Sequence, residues 1–336
     1  MSGQIYGISA LGHDGAVAVI EGDQILFAAH SERYTREKND PFLTDEIFID
    51  ALDYADPPKE IAWYERPIKK RLRQLRAGQF LDAFGDPSPK AHLGSCMDIE
   101  GMRLSYYDHH LSHAAGAYYT SRFTSATVVV LDAIGEFTTG SIWSGSGRDL
   151  KQVWSLRYPQ SLGLLYSAFT QRCGLVPNEE EYILMGMAAL GDPRKYKSLI
   201  EDELFELNPF PTDDLFVFKK NFHRGIRDWH PEITDVENLA AAIQDLIEDA
   251  VISVIGLAHR VGNSRNLVLS GGVALNCVAN SVIANDYHFD HIWIMPNPGD
   301  AGSALGAACA QRGISLNGRL HFWVRIFHAP MSVRRS

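Results

Sequence analysis

The feature that most restricts the fold of this chain is a local pattern that occurs twice. QIYGIS, ALGHDG, AVAVI, EGD and QILFAAH, at residues 4 to 30, are apolar or alternating runs separated by glycine-rich turns. They predict three short strands joined by two tight connections. Roughly 120 residues later ATVVVLD, AIGE, FTTGSIW, SGSGRD and LKQVWSL give the same order of strand, glycine loop with an acid, strand, polar turn and strand. Two copies imply a duplicated fold whose lobes each present a loop toward a shared cleft.

The rest of the chain fits two α/β lobes. Its 336 residues, 46% apolar and 21% charged, have the mix of a globular protein large enough for two domains or two packed lobes. No apolar run approaches the ~20 residues of a membrane helix, and no basic stretch with an apolar block opens the sequence, so a cytoplasmic protein without membrane contact is expected. Cys96, Cys173, Cys277 and Cys309 form no CxxC pair, which argues against a thiolate zinc site or a disulfide framework and predicts core thiols. A net charge of −10 disfavours a nucleic-acid surface. The local exception, Arg66 to Arg76, carries six basic residues with Ile68, Leu72 and Leu75 at helical spacing beneath them. It reads first as a solvated helix face, with an acidic partner or substrate as the alternative. Thr44 is placed to cap a helix through about Tyr54, with Ile47, Ala51, Tyr54 and Ala55 as its buried stripe. Leu239 to Val254 repeat at three and four and predict a long buried helix that ends near Gly262 and feeds the strand NLVLS. Residues 205 to 236 show no clean period and read as an insertion.

Four constellations carry possible chemistry. In YYDHHLSHAAGAYYTS, His109 and His113 stand four apart on a predicted helix and face the same side. Such a pair is either a metal clamp, if further ligands converge, or two hydrogen-bonded histidines. Asp132 closes a strand and Asp300 lies in the turn PNPGDAGSALGAA, positions where open α/β sheets place ligands. Mixed His and carboxylate ligands suit Fe(II), Zn(II) or Mn(II). In NLVLSGGVALNCVAN, Gly271 and Gly272 end a strand before a helix, an arrangement that admits a nucleotide or serves only tight packing. The pair His13 and Asp14 sits on the turn Gly12 to Gly15, by default a surface turn. HSERYTREKND, residues 30 to 40, is a solvated charged loop unless it borders a nucleotide cleft, where Arg and Lys hold phosphate oxygens.

These segments, with PQSLGLLYSAFT and PNEEEYILMGMAALGDP, occur in the order found in O-carbamoyltransferases of the NodU and TobZ type, and the chain resembles that family over residues 4 to 309. The resemblance implies a two-lobed actin-like, sugar-kinase-like (Kae1-like) fold of duplicated RNase H-like subdomains. It divides the chain into a first lobe at 1–120, joined by part of 300–336, a second lobe at 121–310 with the insertion near 205–236, and an irregular tail at 311–336. It implies transfer of a carbamoyl group from carbamoyl-adenylate, made from carbamoyl phosphate and ATP with Mg, to a hydroxyl of a sugar, antibiotic or nucleotide acceptor. By position it makes His109, His113, Asp132 and Asp300 the ligands of a divalent metal, Fe(II) first and Zn or Mn next. His13 becomes a catalytic residue and Lys38 a contact of the carbamoyl-adenylate, with Gly12, Gly135, Glu136, Gly271, Gly272 and Asn276 around the nucleotide. The chain departs from the family at Ile183, where many relatives carry lysine, and in lacking a YrdC-like domain, so either the sequence is a truncated or frameshifted form or the adenylate is expected from a separate YrdC-like partner. Two other readings remain, an ATP-dependent sugar or small-molecule kinase of the same superfamily and an inactive nucleotide-binding remnant.

Overall fold

The computed structural model describes residues 3–85, 87–208, 214–285 and 288–313. Strands β1 (Ile5–Ser9), β2 (Ala16–Glu21) and β3 (Gln24–His30) are followed by helices α1 (Glu32–Thr35) and α2 (Asp45–Leu52), and then by β4 (Glu60–Trp63). Helices α3 (Pro67–Ala77), α4 (Phe80–Gly85) and α5 (Pro89–Cys96) precede β5 (Arg103–Tyr106) and α6 (His109–Thr120). The second run comprises β6 (Ser125–Leu131), β7 (Thr138–Ser146), β8 (Asp149–Arg157), α7 (Leu162–Arg172), α8 (Glu181–Ala188) and α9 (Lys197–Glu203). Strands β9 (Phe205–Leu207) and β10 (Phe216–Phe218) lead to α10 (Val236–Val261), β11 (Asn266–Ser270), α11 (Cys277–Ala284), β12 (His291–Ile294) and α12 (Asp300–Arg312).

The fold is α/β with two mixed five-stranded sheets, ordered β3-β2-β1-β4-β5 and β12-β11-β6-β7-β8, plus the small pair β10-β9. In the first, β1 runs antiparallel to β2 and parallel to β4, with Ile8 opposite Val17 and Trp63. In the second, β6 runs antiparallel to β7 and parallel to β11, with Val129 opposite Ile142 and Leu269. Strands β1 and β6 are covered on both faces, which is why they read as continuous apolar runs.

Helix α12 lies on β1, β2 and β4, while α6 lies on β6, β7 and β11, and the two helices pack against each other between the sheets. Their approach is close enough that a Cβ on Gly306 would sit 1.8 Å from the carbonyl oxygen of Ser112. Only glycine fits there. The consequence is positional, because α6 begins at His109 and α12 at Asp300, so their N-terminal ends share one end of the molecule.

Helix α10 ends at Gly262 as its period predicts. Three other expectations need correction. Thr44 makes no side-chain cap, α2 stops at Leu52, and its buried stripe is Ile47, Phe48 and Ala51 with Tyr54 exposed. Helix α3 buries Arg73 and Gln74 and exposes Ile68 and Leu72, so the apolar spacing does not mark the inward face. The reason lies in polar partners: Arg73 donates to Gln79 and Lys70 to Glu65, which turns that face inward. Cys309 is buried and Cys96 and Cys173 are half-buried, but Cys277 is exposed at the start of α11. The expected irregular tail starts later than 311, because Gln311 and Arg312 close α12 with Gly313 as its cap, and residues 314–336 lie outside the described residues. Among the described residues no helix is long and apolar enough to cross a membrane.

Candidate metal centre and its cleft

Helix periodicity puts His109 and His113 on one face of α6, and their Nε2 atoms lie 3.1 Å apart. Asp132, just past the end of β6, brings Oδ2 to 3.1 Å from His109 Nε2. Asp300, the first residue of α12, brings Oδ1 to 3.2 Å from His113 and 3.5 Å from His109. All four residues are buried, and one atom from each lies within 4.8 Å of the others. Two imidazole nitrogens that face each other cannot both carry protons comfortably, while two nitrogens and two carboxylate oxygens converging on a point form a donor set for a divalent transition metal. The surrounding groups support that fit. Asp132 Oδ1 accepts from the Gly272 N–H, which leaves Oδ2 for the centre, and Ser270 Oγ stands 3.5 Å from His113 Nδ1.

The electrostatics ask for positive charge here. Burial alone would hold His109 down, but the Asp300 and Asp132 carboxylates push it up to about 9. Burial would raise Asp132, yet the neighbouring histidines hold it well below the usual carboxylate range. His110, on the same helix but turned toward Ser141, is pushed down to about 3 by burial and then by the His109 charge. A cation at the centre would supply the charge that protonated histidines supply without it.

Beside this cluster opens a cavity of about 310 Å³. Asp132 and Asp300 form part of its wall with His13, Lys38, Gly272 and Asn276. His13 Nδ1 contacts Asp14 Oδ2 at 3.0 Å, and its Nε2 stands 3.9 Å from Asp300, whose charge is the largest cause pushing His13 up to about 10. Lys38 reaches across the cavity mouth, donating to the Glu179 carbonyl with its ammonium 5.1 Å from the Tyr182 ring centre, while Asn39 donates to the Asn178 carbonyl. Asn276 caps α11 and donates to Gln244, which also accepts from Tyr166.

The structure separates the other expected residues from that wall. Gly271, at φ +90° and packed on Leu131, makes the strand-to-helix turn, and a Cβ would lie 2.2 Å from the Leu131 carbonyl. Gly12 lies against Tyr64 and Gly135 against the His109 ring. Glu136 accepts from the Arg66 N–H, and burial pushes it up to about 7. Sequence patterns did not single out the buried Glu65–Lys70 pair or the tie from Asp14 to His30 and Glu32. Each joins residues whose local sequence carries no distinctive pattern, so only the tertiary fold reveals it.

Residues 86–309 match the family model described as "Carbamoyltransferase N-terminus". The uncharacterized protein sll1178 of Synechocystis is 34% identical over 90% of this chain and 56% of its own length. The nodulation protein NolNO of Sinorhizobium fredii is 30% identical over 88% of this chain and 46% of its own. This chain thus spans about half the length of these curated relatives. A crystal structure of full-length HypF in a phosphate- and nucleotide-bound form superposes with a TM-score of 0.49 at 14% identity, over 92% of this chain and 55% of that one. On the match across residues 86–309 and the 34% identity, the chain belongs to the carbamoyltransferase N-terminal family.

Proposed function

We propose that this chain is the transfer part of an O-carbamoyltransferase, passing a carbamoyl group from carbamoyl-adenylate to the hydroxyl of a small acceptor. The observation that carries this reading is the meeting, in one cavity of about 310 Å³, of Asp132 and Asp300 from the His and Asp cluster with His13 and the Gly272 turn. Family membership supports carbamoyl transfer in general. The matching strand orders β3-β2-β1-β4-β5 and β8-β7-β6-β11-β12 support the finer reading of two duplicated actin-like lobes, 1–120 with α12 and 121–310.

In this reading His109, His113, Asp132 and Asp300 hold one divalent metal of the Fe(II) class. When bound, such an ion acts as a Lewis acid on carbonyl or phosphoryl oxygens. The chain's own residues do the rest. The Gly272 turn and Asn276 border the adenylate, and Lys38 exchanges its carbonyl contact for the donor's oxygens. With a cation held at Asp300, the carboxylate charge that keeps His13 protonated would be offset, and His13 Nε2 then accepts the acceptor's hydroxyl proton as the new C–O bond forms and the bond to AMP breaks. A YrdC-like activity supplies the adenylate from carbamoyl phosphate and ATP. Purified chain loaded with Fe(II) and given carbamoyl-adenylate with a panel of sugars and aminoglycosides tests the reading. Carbamoylated product with AMP release supports it. Phosphorylation of the same acceptors from ATP would instead favour a kinase.

A further inference from the structure

The loop that carries His13 is tied from behind. Leu11 N–H donates to Pro41, Gly15 N–H to Asp40 and Ser31 N–H to Gly15, so the end of β3 and the segment at 39–41 brace the turn. Asp14 sits in this turn at φ +61°, a conformation that strains a side-chain-bearing residue and persists where surrounding contacts hold it. Those contacts are polar. Asp14 Oδ2 meets His13 Nδ1 at 3.0 Å, and its other oxygen, Oδ1, lies 3.3 Å from His30 Nε2. The opposite ring nitrogen of His30, Nδ1, lies 3.3 Å from Glu32 Oε1. Pairing of β2 with β3 sets His30 opposite Ala16, beside the turn, and α1 starts at Glu32 two residues later. A line of alternating acids and imidazoles therefore runs Glu32, His30, Asp14, His13, Asp300, each within 3.9 Å of the next and hydrogen-bonded between Asp14 and His13.

We propose that His30, clasped between Asp14 and Glu32, is a positioning residue that fixes Asp14 so that Asp14 holds His13 by Nδ1 and leaves Nε2 facing the reacting centre. The proposal rests on the reading of His13 as the proton acceptor given above. An imidazole used as a base must present one nitrogen, and the hydrogen bond made by the other nitrogen sets which one is free. Asp14 in a strained turn cannot keep that orientation alone. His30 takes the carboxylate oxygen that His13 leaves unused, and Glu32 keeps the His30 ring from turning. The same three side chains could in principle surround a cation, since one ligand atom from each lies within 4.8 Å of the others. The geometry favours the clasp, because each carboxylate has its own ring nitrogen of His30 and neither shares one with the other.

Two measurements test it on the Fe(II)-loaded chain. In 15N-edited NMR of histidine-labelled protein, the His13 Nδ1–H signal is assigned by its loss in His13→Gln. His30→Ala is expected to speed its exchange with water at least tenfold while the iron content stays at the wild-type level. In turnover of carbamoyl-adenylate with an acceptor found in the panel above, His30→Ala is expected to lower kcat about 10- to 100-fold, as loss of an outer orienting group does. KM for the donor should stay within twofold. His30→Gln, which still offers a donor to Asp14, should recover most of the rate. An unchanged His13 signal in His30→Ala overturns the proposal, as does full activity of that variant in a protein that turns over. A second Fe(II) or Mg(II) per chain that disappears in His30→Ala overturns it in favour of a cation site. If the His13 signal responds as expected but the wild type consumes no carbamoyl-adenylate, the clasp stands and the transfer reading falls.

Discussion

At the scale of single residues, the four converging side chains proposed as metal ligands give the most exacting test. The wild type should hold about one Fe(II)-like ion per chain, in keeping with a mixed His and carboxylate donor set. The His109→Ala, His113→Ala double variant should hold none, and equal metal in the two by elemental analysis would remove the assignment. His13→Ala should slow transfer by ~10² to 10⁴, the usual loss for a general base, with nucleotide affinity little changed by calorimetry. A variant that loses affinity but transfers normally at saturation would make His13 a binding residue. His92 gives a separate pH signature away from the cleft. Its Nε2 accepts from the Leu43 N–H, which requires a neutral ring, and burial lowers its proton affinity. A basic group held neutral in the fold stabilises it above the unfolded pKa, because below that value the unfolded chain takes up the proton first. Stability in urea should therefore fall as pH drops from about 6.5. His92→Gln should flatten that part of the curve, and an unaltered slope would assign the acid sensitivity elsewhere.

At the scale of elements, glycines on two helices behave oppositely. Gly306→Ala drives a methyl into the Ser112 carbonyl of α6, so it should cost at least the ~1–3 kcal/mol of overpacking and move Asp300 with α12. Gly256→Ala on α10 meets nothing within 4 Å and should gain about 0.5–1 kcal/mol. Denaturant midpoints of the two variants check both signs. Such contacts explain what a sequence alone can and cannot disclose. The two meanders were legible because apolar runs and glycine turns are local, and His109 and His113 were legible as a pair because helix geometry fixes four-residue spacing. The convergence of Asp132 and Asp300 on them depends on α6 and α12 packing across the sheets, which no local period encodes. Helix α3 misled because its apolar spacing is real, yet Arg73 and Lys70 have polar partners that make the opposite face the inner one.

At the scale of the whole molecule, a cation held by residues from three distant segments should bind the folded chain and not the unfolded one. Linkage then raises stability by ~2.7 kcal/mol at a hundredfold excess over Kd. Melting temperature should rise with added Fe(II) in wild type and stay fixed in the His109→Ala, His113→Ala double variant. An equal rise in both would place the stabilising ion elsewhere.

The helix contact paved by Gly306 has a further consequence, for the order in which the site comes into being. His113 meets Asp300 across 187 positions of sequence. During synthesis on the ribosome both histidines emerge before any strand of the second sheet, and that whole sheet is made before Asp300 exists. A nascent chain therefore carries both imidazoles without the Asp300 carboxylate until α12 is made. If the four residues hold a metal as proposed, the set is complete only once α12 packs on α6, so loading of the ion would follow closure of the glycine seam between the two helices.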